Sequence, residues 1–101
     1  MLSSSQAIAD EIANNSAAIG YYGMGYISKK QKAVAIAKDE KSEYIEPTVD
    51  NVVKGKYPIS RPLFLYTNGE PRELTKKFID FASSKEGQDI VLATDFVPLK
   101  R

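Results

Sequence analysis

The stretch YPISRPLFLYTNGEP, residues 57–71, constrains this chain more than any other. Pro58 and Pro62 each lack an amide donor and hold the preceding residue extended, so residues 59–61 run extended without lying in the middle of a sheet. Leu63, Phe64, Leu65 and Tyr66 then form a strand, which the Asn68-Gly69 pair closes with a turn. Two prolines, a lone arginine and an apolar run in this order suit a stiff connector that hands the chain from one body to another. The stretch Lys54-Gly55-Lys56-Tyr57-Pro58, polar and turn-rich between two apolar runs, is the one composition shift that could mark a boundary.

Around this connector the sequence alternates helical and extended patterns. Ser3, Ser4 and Ser5 offer caps to a short amphipathic helix over residues 6–13, with Ile8 and Ile12 four apart. Residues 17–22 read as a brief buried strand, ended by Gly23 and Gly25, and residues 32–37 as another, with Val34 and Ile36 on one face. Thr48 caps a helical turn through Val49, Val52 and Val53, and Gly55 stops it. Beyond the connector, Pro71 opens a helix through Ala82 in which Leu74, Phe78 and Phe81 share a face. Ser83 or Ser84 caps the next helix, Ser83 forming a capping box with Glu86. Phe96, Val97 and Leu99 return to the core. Strands mixed with helices indicate an α/β or α+β class.

Composition narrows the chemistry sharply. In 101 residues, 43% hydrophobic and 27% charged, there is no cysteine and no histidine. Disulfides, thiolate and imidazole catalysis and the usual zinc sites are therefore excluded. The net charge of +1 comes with lysines scattered in pairs, which does not make the concentrated basic face that nucleic acid requires. Residues 1–5 lack the basic start and apolar core of a secretion signal, and no stretch approaches the length of a membrane span.

Individual candidates are weak as catalysts. Asp10 and Glu11 point about 100° apart on a helix and cannot converge. The serines at 3–5 have no base to activate them, so capping is their plain role, with anion binding by helix-start amides the remaining functional one. GYYGMGY, residues 20–26, lacks both the dinucleotide and the P-loop spacing. Tyr21, Tyr22 and Tyr26 suit aromatic packing or stacking on a base or sugar, packing being favoured. Arg61 suits either backbone carbonyls between two bodies or a ligand, the structural role being favoured.

Three segments in order, AAIGYYGMGY (residues 17–26), PTVDNVVKGKYPISRPLFLYTN (47–68) and KKFIDFASSKEGQDIVLATDFVPL (76–99), resemble the carboxy-terminal portion of the periplasmic phosphate-binding proteins. These are the substrate receptors of phosphate ABC transporters. The resemblance implies an α/β fragment of a type II periplasmic-binding-protein-like fold, a mixed sheet with flanking helices. It implies that residues 1–57 are part of the second ligand-binding lobe and 58–62 the hinge crossover, and that 63–101 form the carboxy-terminal part of the first lobe. Tyr57, Pro58, Ser60, Arg61 and Pro62 are then hinge residues.

The same resemblance implies a parent protein that captures inorganic phosphate and delivers it to an ABC permease, in the periplasm or at the cell surface. It implies no enzymatic activity and no cofactor. The family holds phosphate by serine and threonine hydroxyls, an aspartate, and an arginine with a glycine-serine-glycine-threonine loop. The loop is absent from this chain and no arginine precedes Arg61, so Ser3, Ser4 and Ser5 are the one anion-proximal match. Tight binding by this chain alone is not expected. Uncovered sheet edges predict self-association instead. The alternative is a stand-alone interaction or sensory module on the same half-fold.

Overall fold

The computed structural model describes residues 1–99, so the last two residues of the expected 63–101 portion lie outside it. Four α-helices and a 3-10 turn form in the order α1 (Ser5–Asn14), the turn at Met24–Tyr26, α2 (Val49–Val53), α3 (Glu73–Ser83) and α4 (Lys85–Ala93). Each helix closes its hydrogen bonds within its own segment, which is why helical periodicity translates directly into structure.

Strands need neighbours, and here the expectation of a mixed sheet is corrected. Among the described residues the β-structure consists of a single antiparallel bridge, Ile36 with Ile45, closed by two 2.9 Å backbone hydrogen bonds. An Asp39 turn joins its arms: the carboxylate accepts from the Lys41 amide at 3.0 Å and the Ser42 hydroxyl at 2.6 Å. The next hydrogen-bonded pair outward would be Val34 with Pro47, and proline has no amide to give. The arms therefore diverge around an open groove of about 670 Å³. Residues 17–22 lie without ladder bonds, Gly20 close against Ile8 and Ile12 of α1.

Two local bodies result. In the first, α1 rests on the loop after it, Gln31 Nε2 donating to the Ala9 carbonyl at 3.0 Å. In the second, α3 and α4 form a hairpin tight enough that a Cβ on Gly87 would collide with the Phe81 carbonyl. Gln88 fastens it, donating to the Ala82 carbonyl and accepting from the Leu99 amide, both at 2.7 Å. The tail is only partly covered: Pro98 is buried and Val97 half-buried, while Phe96 and Leu99 are exposed.

The chain does not close on a common core. Among the described residues the buried hydrophobic core is Ala9, and the radius of gyration is 16.7 Å, against about 13 Å for a compact domain of this length. The accessible surface of 8909 Å² compares with about 5,700 Å² for a compact monomer of this mass. Leu74, Phe78 and Phe81, the shared apolar face of α3, are all exposed.

Candidate functional site

The connector is anchored at its start by a residue that sequence reasoning passed over. Asn51 accepts at its carbonyl from the Lys56 amide (2.8 Å) and the Tyr57 amide (3.2 Å), and its side chain donates to the Glu46 carbonyl at 2.9 Å. Its own amide donates to the Thr48 hydroxyl at 3.2 Å, the side-chain cap of α2. Gly55, with φ +68°, stands just past the end of α2 in the left-handed region where a glycine ends a helix without a Cβ clash. An asparagine three residues after a capping threonine was the available signal.

From Tyr57 the chain turns before it extends. Pro58 and Ile59 lie in a turn, the Ser60 hydroxyl donating to the Tyr57 carbonyl at 3.1 Å, and the extended path begins at Ser60 rather than at Ile59. Arg61 and Pro62 are exposed, and among the described residues Arg61 makes no hydrogen bond or ion pair. Leu63, Phe64, Leu65 and Tyr66 are 74, 67, 64 and 89% exposed. The Phe64 and Tyr66 rings lie against one another, centroids 6.2 Å apart. The segment is thus an exposed apolar run with no ladder bond among the described residues.

The turn after α1 meets the end of α4. Met24, Gly25 and Val49 face Leu92, Asp95, Phe96 and Val97 across a cleft of about 150 Å³. A Cβ on Gly25 would occupy the space of Asp95, so that position is held by close backbone approach. Asp95 itself has φ +66°, with its amide donating to the Leu92 carbonyl and that of Phe96 to Val91, both at 3.1 Å. This is the Schellman ending of a helix with aspartate where glycine is usual.

The expected anion-proximal serines are at the start of α1. Ser4 is the N-cap, its hydroxyl accepting from the Ala7 amide at 3.1 Å; Ser3 is exposed and Ser5 is the first helical residue. No described bond links them to Arg61, so the structure does not bring the serines and the arginine together. Ser84 caps α4, accepting from Gly87 at 3.2 Å, whereas Ser83 is the last residue of α3 and caps nothing. The capping box with Glu86 is replaced by this single bond. Pro71 stands before α3 rather than in its first turn, because Glu73 opens the helix with φ +46°. Tyr21 and Tyr26 are exposed and Tyr22 half-buried, so the tyrosines do not pack as a core. Among the described residues no acidic cluster is built to hold a metal, and no helix is long and apolar enough to cross a membrane.

The family model described as the PBP superfamily domain matches residues 2–86. The chain belongs to the PBP superfamily. Among relatives of this superfamily member, "Phosphate-binding protein PstS" of Pseudomonas aeruginosa is 33% identical over 99 residues, covering 94% of this chain and 31% of the relative. "Phosphate-binding protein PstS 2" of Streptococcus pneumoniae is 30% identical over 97 residues, with 96% and 31% covered. The protein of that name from Streptococcus agalactiae is 34% identical over 97 residues, with 95% and 31% covered. The chain spans about a third of the length of these curated relatives. No solved structure matches it.

Proposed function

We propose that this PBP superfamily chain serves as the carboxy-terminal part of a solute-binding protein that captures inorganic phosphate for an ABC importer, outside the cytoplasmic membrane. Residues 1–57 belong to the second lobe, 58–62 form the hinge crossover, and 63–101 complete the first lobe. The observation that carries this reading is the match along nearly the whole chain to proteins named as phosphate-binding. The physical companion to it is the exposed run Leu63, Phe64, Leu65 and Tyr66, as continuously apolar as a strand inside a covered sheet must be.

The chain contributes the connector and its anchor at Asn51, while most of the anion donors belong to the rest of the protein. A desolvated phosphate needs several donors converging from both sides, and Ser3, Ser4 and Ser5 alone do not supply them. The open outline weighs against a stand-alone module, which would close its own core.

The test is a chimera in which this chain replaces the matching last third of the Pseudomonas aeruginosa relative. Calorimetry with inorganic phosphate should show saturable binding by the chimera and none by the chain alone. A folded chimera, soluble and with a cooperative melt, that takes no phosphate overturns the reading. Micromolar binding by the isolated chain overturns the division of labour.

A further inference from the structure

Glycine is demanded at position 25 by a distant part of the chain. Gly25 lies outside the left-handed region, so its own φ does not call for glycine. A Cβ there would overlap the Cβ and the carbonyl oxygen of Asp95. At Gly23, by contrast, a Cβ would meet only the Tyr26 ring, at ordinary contact distance. We propose that Gly25 and Asp95 form a second junction between the two bodies, in parallel with the connector, and that the pair of junctions confines their relative motion to rotation about one axis.

The rest of the structure leaves that rotation free. Among the described residues, packing between helical elements stays inside each body: α1 lies on the Met24–Tyr26 turn, and α3 on α4. No helix of one body packs on a helix of the other. Rigid bodies held together at a single point swivel in every direction, whereas bodies held at two points turn only about the line between them. Hinges of this kind use the ends of elements, which absorb the change in a few backbone angles. Both partners of the contact are such ends. Gly25 lies in the 3-10 turn, and Asp95 reverses the chain just past α4 with φ +66°.

The short helix α2 ties the two junctions together. Val49, its first residue, lines the cleft with Met24, Leu92, Phe96 and Val97. In the same turn of helix the Asn51 carbonyl accepts from the Lys56 and Tyr57 amides, where the connector starts. The contact and the connector are therefore held in a fixed relation, as an axis requires. In the phosphate reading, on which this last step rests, the two lobes close on their anion about that axis.

The chain has no cysteine, so Glu11→Cys on α1 and Lys77→Cys on α3, both exposed positions, place a pair of spin labels on the full chain. The distance distribution between the labels should be narrow, the sweep of one axis. Gly25→Ala should at least double its width with helical circular dichroism unchanged, Val49→Ala should widen it less, and Gly23→Ala should leave it as it was. A distribution already broad without these changes overturns the proposal. So does one that Gly25→Ala and Val49→Ala leave narrow, or that Gly23→Ala widens equally. In the chimera with the Pseudomonas aeruginosa relative, kept free of other thiols, inorganic phosphate should shift the distance while amide exchange at residues 94–97 stays the same, as at a pivot. Exchange there that slows with phosphate marks a latch made on closure and overturns the axis. Gly25→Ala should weaken phosphate binding by the chimera, about tenfold if the freed lobe is aligned a tenth of the time. A chimera that takes no phosphate overturns the phosphate reading alone; the distances in the chain itself still decide the junction.

Discussion

Asp95 holds a left-handed backbone just past the end of α4, which places its carboxylate charge near the negative end of the helix. Asn tolerates that conformation better and removes the charge, so Asp95→Asn should stabilise the chain by about 0.5–1 kcal/mol, read as a higher urea midpoint. Gly25 presents the opposite case: Gly25→Ala should cost about 1–3 kcal/mol by pushing Asp95 away, with faster amide exchange confined to residues 94–97. At Asp39 the Ser42 hydroxyl, followed by the Lys41 amide, holds the carboxyl below the usual carboxylate range. The turn is therefore fully supported above the ordinary pKa and loses that support as the pH falls through the lowered one. Carbon-13 titration should place the Asp39 midpoint below the ordinary aspartate value, and Ser42→Ala should raise it. Sequence revealed Thr48 and Gly55 because capping is local chemistry. Asn51 and Gly25 were opaque because their roles depend on where distant backbone arrives.

At the level of elements, helices were legible and strands were not. The four-residue repeat of Ile8 and Ile12, and the Leu74, Phe78 and Phe81 face, each produced a helix near the expected limits, since a helix satisfies its own backbone. Residues 17–22 and 63–66 carry strand-like side chains, yet a ladder needs a neighbour that this chain does not put beside them. Pro47 shows the same logic in one place, ending the Ile36 pairing where its amide is missing. For α2, five residues long, the cap is a large share of its support: Thr48→Ala should cost about 1 kcal/mol. Loss of protection at the Lys56 and Tyr57 amides, measured by hydrogen exchange, would report the loosened connector. By contrast Lys76→Ala, removing an exposed pair with Asp80 at 2.7 Å, should change stability by less than about 0.5 kcal/mol.

For the whole molecule, the resemblance located the chain in its superfamily, and the residues alone offered only a composition shift at 54–58. What remained invisible was the scarcity of core, because a pattern of apolar residues states which faces seek cover without stating whether cover exists. Roughly 45% of the unfolded surface is hidden here, where a self-sufficient chain of this size hides about 60–65%. A dye that fluoresces on apolar surfaces should therefore light up strongly with the wild-type chain at micromolar concentration and dim as the chimera with its relative forms; an unchanged signal would mean that the faces stay bare. The long outline, 52 × 34 × 24 Å, carries a hydrodynamic penalty as well. Friction slows an elongated particle, so even a single chain will leave a gel-filtration column early and masquerade as a heavier one. Mass must be weighed by scattered light, since elution volume will count shape as if it were substance.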